Sequence, residues 1–68
     1  MLDHIEYKGY TIKIECINRY FWQAEVINSQ IRLVGGVCAR TRQDTIVKAQ
    51  NLIDSWIEHE TRQNKGQP

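Results

Sequence analysis

Apolar residues alternate with polar ones through Tyr10-Ile12-Ile14-Cys16 and again through Trp22-Ala24-Val26. That period of two places each set on one face of a β-strand. Beyond Thr41 the spacing changes: Ile46, Ala49, Leu52, Ile53, Trp56 and Ile57 fall on one broad stripe of an α-helix. Val47 sits off the stripe and is expected to be partly exposed. Lys48, Asn51, Asp54, Ser55 and Glu58 lie opposite, on the solvent side.

The pattern predicts a short first strand over residues 2–8, with Ile5 and Tyr7 on one face, and a turn at Lys8-Gly9. Strands follow over 10–17, 21–27 and 31–39, joined at Asn18-Arg19-Tyr20 and Asn28-Ser29-Gln30. Gly35-Gly36 interrupts the last strand, which points to a bulge or a close backbone approach. Thr41 is a strong N-cap residue, and Asp44 three positions on suits a weak capping box. The helix is expected to end near residue 60. The expected fold is therefore α+β: a three- or four-stranded antiparallel sheet packed on one C-terminal helix. Residues 1–60 form a single domain, and 61–68 form a polar, disordered tail.

Sixty-eight residues bound what this fold can bury. A domain of about 60 residues buries only about 60% of the surface its unfolded chain exposes. A net stability of about 3–5 kcal/mol is the expected order for so small a core. The net charge of +1 supplies no global field toward nucleic acid or an anionic membrane. No apolar run approaches the roughly 20 residues of a membrane span. Met1-Leu2-Asp3-His4 lacks the basic start and apolar stretch of a signal peptide, so a cytoplasmic setting is expected.

If the helix covers the face carrying Tyr10, Ile12, Ile14, Trp22, Ala24 and Val26, the other face holds Ile17, Phe21, Ile27 and Val34. Lys13, Glu15, Gln23, Glu25 and Arg32 interleave them. A contiguous apolar patch on a thin domain points to another protein or a second copy. Strand pairing at an open sheet edge is a related route. Ile17, Phe21, Ile27, Val34 and Arg32 are therefore the candidate interaction residues.

The helix start is the second candidate. Arg40 and Arg42 flank Thr41 where orphan N–H groups and the positive end of the helix dipole already lie. Cations are mildly unfavourable there unless an anion docks. A phosphate or nucleic-acid backbone would contact Arg40, Thr41 and Arg42; two solvated arginines, one paired with Asp44, are the plainer expectation. Nucleic-acid binding through these arginines and the basic residues Lys13, Arg19 and Arg32 is the rival function. Glu15 and Glu25 on the same sheet face oppose it.

Cys16, Cys38, His4 and His59 show no zinc-ligand spacing, so no metal or cofactor is expected. Cys16 has the inward parity of a small buried hydrophobe, and Cys38 is expected to resemble it. Nothing sets either histidine beside a thiol, and no enzyme activity is expected.

Tyr10 to Ile14, Phe21 to Val26, Gly35-Gly36 leading into Ala39-Arg40-Thr41, and Ile46-x-x-Ala49 together resemble the HicB-like antitoxin domain. That domain is a truncated RNase H-like β-β-β-α unit. The resemblance implies this fold and a protein-binding role, in which such antitoxins neutralise a small ribonuclease toxin. It carries no functional residue onto this chain, and Asn28-Ser29-Gln30 lacks the Pro and acidic residues usual in the family's corresponding loop.

Overall fold

Four strands and one helix follow each other along the chain of the computed structural model, which describes residues 2–65, with side chains over 3–61. They are β1 (Leu2–Tyr7), β2 (Tyr10–Asn18), β3 (Phe21–Ile27), β4 (Leu33–Ala39) and α1 (Arg42–Lys65). The strands form an antiparallel sheet in chain order, β1-β2-β3-β4. The helix packs on one face of it, over β4, β3 and β2. The fold is α+β, as the change of period predicts.

Each connection has a local cause. Lys8 and Gly9 both take positive φ, 51° and 85°, the conformation of a two-residue type I′ hairpin turn that matches strand twist. Arg19 and Tyr20 join β2 to β3, and the Asn18 side chain accepts the Tyr20 N–H at 2.9 Å. The pairing slips by one residue beside this turn, between Cys16 and Asn18, so Ile17 is a bulge residue. Between β3 and β4, the Ile31 N–H donates to the Asn28 carbonyl and the Asn28 N–H to the Arg32 carbonyl, both at 3.0 Å. Asn28 Oδ1 accepts the N–H groups of Gln30 and Arg32. This is a three-residue loop ending in a left-handed residue, Ile31, with φ 59°.

The buried core consists of Ile12, Ile14, Ala24, Val26, Ile46, Ala49 and Ile53. Full burial of an isoleucine side chain is worth about 1.5–3 kcal/mol. Ile5, Tyr7, Trp22, Val37, Leu52 and Ile57 pack around it, partly buried. At Gly35 a Cβ would lie 2.9 Å from a Leu52 methyl, so the missing side chain lets the helix approach β4. The buried Thr45 hydroxyl is satisfied by the Thr41 carbonyl at 2.8 Å.

The helix differs from expectation at its far end. It continues through Lys65 rather than stopping near residue 60, so the first part of the expected polar tail is helical. The remainder of that tail, residues 66–68, lies outside the described residues. Twenty-four helical residues span about 36 Å, against about 23 Å for the seven residues of β4. The helix therefore outruns the sheet. Trp56 stays exposed despite its place on the apolar stripe, although Ile57 next to it packs on the core and Glu60 a turn further on still meets Tyr10 of β2.

Hydrogen-bond alternation also assigns the sheet edges. The tight turn makes Tyr7 and Tyr10 a hydrogen-bonded pair, and pairs alternate from there across the register. Carried through β2 and β3, the alternation turns the backbone groups of Gly36 and Cys38 outward at the β4 edge. Lys48 Nζ donates to that outward Cys38 carbonyl at 3.1 Å.

Candidate functional site

Among the described residues, no helix covers the second face of the sheet. The register sets His4, Lys13 and Glu25 in one row across its middle, so the centre of this face is polar. Apolar side chains occupy its two ends. At one end is Phe21, 38% exposed, with the bulged Ile17, 46% exposed, beside the turn that leads into it. At the other, Ile27 is partly buried beside Leu33, its partner across the β3–β4 pair, which is 64% exposed. Ile31 stands 85% exposed at the tip of the adjoining loop, with the exposed Arg32 next to it.

Val34 does not belong to this face. The β3–β4 register slips between Val26 and Ile27, so that Val26 pairs with Gly35 and Ile27 with Leu33. The extra residue is Val34, and it packs against the core under the helix. A single-residue bulge reverses the alternation up to that point, which puts Leu33 where strict alternation predicts Val34. Leu33 on this face and Ile31 beside it are exposed apolar residues that the sequence pattern does not mark. The Asn28 loop that displaces them carries a recognisable signal, an Asn followed three residues later by the left-handed position. That position usually holds glycine, so an isoleucine there conceals it.

Two shallow cavities open on the uncovered face. One, of about 320 Å³, lies where Gly36 has no side chain, among Phe21, Gln23, Glu25 and Cys38. The other, of about 350 Å³, lies at the opposite end among Thr11, Lys13, Ile27, Ser29 and Ile31.

The helix start is built differently from the expected anion site. Thr41 is the N-cap: its Oγ1 accepts the Asp44 N–H and its carbonyl accepts the Thr45 N–H, each at 3.1 Å. Arg42 pairs with Asp3 of β1, not with Asp44. The hydrogen bond from Arg42, with a second from the His4 N–H, holds the Asp3 carboxyl below the usual carboxylate range. The negative group beside this helix start is thus a residue of the chain itself. Arg40 remains exposed and forms no ion pair among the described residues.

A second tie joins the helix to the first hairpin. Asp54 accepts from Lys8 Nζ at 2.8 Å and from the Tyr7 hydroxyl at 3.2 Å. The Lys8 hydrogen bond lowers the Asp54 pKa, and the same bond raises that of Lys8. The Tyr10 hydroxyl donates to Glu60 at 3.1 Å; partial burial, then that bond, pushes its pKa up.

Both cysteines are exposed, contrary to the buried role expected of Cys16 and Cys38. Cys16 sits at the bulge closing β2, where its Sγ–H donates to the Asn18 carbonyl at 3.3 Å. Cys38 lies on the uncovered face opposite Gln23. Among the described residues, no three His, Cys, Asp or Glu side chains converge as a metal site, and no helix is long and apolar enough to cross a membrane.

This geometry defines a small antiparallel meander with a one-sided helix. No protein-family model, curated protein or solved structure shows a significant match to the chain.

Proposed function

We propose that this chain is a non-enzymatic protein-interaction module whose uncovered sheet face binds a partner protein or a second copy. The observation that carries the reading is the set of exposed apolar side chains on and beside that face. Phe21, Ile27 and Leu33 are its anchors, Ile17 and Ile31 extend it at either end, and Arg32 and Glu25 supply polar surroundings. Two exposed apolar clusters at the ends of one face, with the polar row His4-Lys13-Glu25 between them, suit an interface with separate apolar anchors and a polar middle. A few such anchors typically carry 2 kcal/mol or more each, by order of magnitude, when buried by a partner. The resemblance to HicB-like domains adds a small ribonuclease as one partner class to try.

The test compares the wild-type chain with Leu33→Glu, Phe21→Glu and, as a control on the far side of the helix, Val47→Glu. Sedimentation at micromolar concentration reads self-association, and affinity capture followed by binding of the purified partner reads association with another protein. Either association should weaken at least tenfold with Leu33→Glu or Phe21→Glu and persist with Val47→Glu. A chain that stays monomeric and binds nothing, or whose binding ignores all three changes, refutes the proposal.

A further inference from the structure

We infer that the Gly36–Arg40 segment of the β4 edge takes an extended acidic peptide segment of a partner protein as a fifth strand. This rests on the interaction reading above and narrows it to one edge and one partner chemistry.

The backbone carries the first part of the argument. Gly36 and Cys38 turn their N–H and C=O groups away from β3, toward the open edge. An exposed strand edge is a template for another strand, and proteins blunt it with charge, proline or bulges. Here the bulge at Val34 re-aims the first half of β4. The second half, Gly36 to Ala39, contains no charge and no proline. Among the described residues its guard is Lys48, reaching over from the helix to the Cys38 carbonyl.

Side chains supply the specificity. A strand added here places a residue opposite Gly36 on the uncovered face, next to the roughly 320 Å³ depression among Phe21, Gln23, Glu25 and Cys38. A large apolar side chain suits that position, since it covers a glycine that offers no side chain of its own. Lys48 on the helix side and Arg40 at the segment's end form no ion pair among the described residues. A carboxylate on the incoming strand draws Lys48 off the Cys38 carbonyl, freeing that acceptor for the strand, and a second complements Arg40.

The same charges disfavour a second copy as occupant. Two β4 edges paired antiparallel about Cys38 would set the Lys48 of each copy, held at its Cys38 carbonyl, against the other's, while Arg40 would lie opposite the other copy's Gly36. Like charges so placed oppose the pairing.

The experiment pans a phage-displayed library of random peptides against the full chain at low salt, then measures the enriched peptides by fluorescence anisotropy. Enriched peptides should carry two or more acidic residues around a large apolar one. Gly36→Val, Lys48→Glu and Arg40→Glu should each weaken them at least tenfold. Gly36→Val is compatible with the fold, because a Cβ there meets only the Ala24 carbonyl oxygen, at 3.4 Å. Circular dichroism checks that each variant is folded. Slowed amide exchange at Gly36 and Cys38 on binding would identify strand addition. Binders that ignore these changes but are lost with Leu33→Glu overturn the edge assignment and leave the interaction reading standing. A concentration-dependent dimer abolished by Gly36→Val overturns the acidic occupant in favour of a second copy. A monomer that enriches no peptide and fails the capture test above overturns both.

Discussion

Ile31→Asn should stabilise this protein. Ile31 holds φ at 59°, in the left-handed region, where an L-residue costs about 1–2 kcal/mol and a β-branched one is a clear outlier. Asparagine adopts that conformation readily because its short side chain bonds locally. The hydrogen bonds that shape the loop involve Asn28, Gln30, Arg32 and the backbone of Ile31, so the substitution leaves them in place. Little packing is lost, because Ile31 is 85% exposed. On a scale of about 1.5–3 kcal/mol for full burial, the lost fraction is worth only some tenths. The net gain is about 0.5–1.5 kcal/mol. A domain of this size shifts its Tm by roughly 4–8 °C per kcal/mol, so the midpoint of thermal unfolding followed by circular dichroism should rise by about 2–12 °C. Ile31→Gly should gain less, since glycine loses more backbone entropy on folding. An unchanged or lower Tm for Ile31→Asn would refute the argument that this position is strained. If Ile31 is also an anchor of the interface, the same variant should bind its partner more weakly, separating stability from function in one residue.

Three further outcomes are expected. Ile53→Ala removes three carbons from a fully buried site and should cost about 2–5 kcal/mol, most of the stability this core supplies; urea unfolding of this variant against Val47→Ala, which should stay within about 0.5 kcal/mol of wild type, is the check. Thr41→Ala removes the hydroxyl that caps the Asp44 N–H and should cost about 1 kcal/mol in the same assay. Asp54 has a lowered pKa through Lys8, so its contribution is present above the usual carboxylate range and is lost as pH falls through the lowered value. Lys8, raised by the same bond, contributes below the usual lysine range and loses that contribution as pH rises through its raised value. Asp54→Asn should therefore flatten the pH dependence of stability at both ends, and a profile identical to wild type would remove the ion pair from the account.

The residues that were legible in advance share a local cause. Ile12, Ile14, Ala24 and Val26 are buried because alternation in an unbroken strand needs no knowledge of its neighbours. Thr41 caps the helix because its side chain reaches a backbone group only three residues away. Phe21 is exposed by the same alternation; Ile17 is exposed too, but at a bulge where the alternation no longer decides its side. Val34 and Leu33 exchanged faces because the bulge depends on how the Asn28 loop closes against β3. That closure joins two strands and is invisible to a period counted along one of them.

What the amino-acid order determined by itself was the set of elements, their inward faces and the cap between sheet and helix, all set by contacts within a few residues. Tertiary structure alone decided which exposed groups are spoken for. Arg42 finds Asp3 across a separation of 39 residues, and Lys8 finds Asp54 across 46. Lys48 reaches the outward carbonyl of Cys38 only because α1 lies along β4. Such partners meet through chain folding, so no spacing in the sequence announces them. They are also what turns the surface from a list of charged residues into one where Arg42 and Lys8 are committed to Asp3 and Asp54 and a strand edge is lightly guarded.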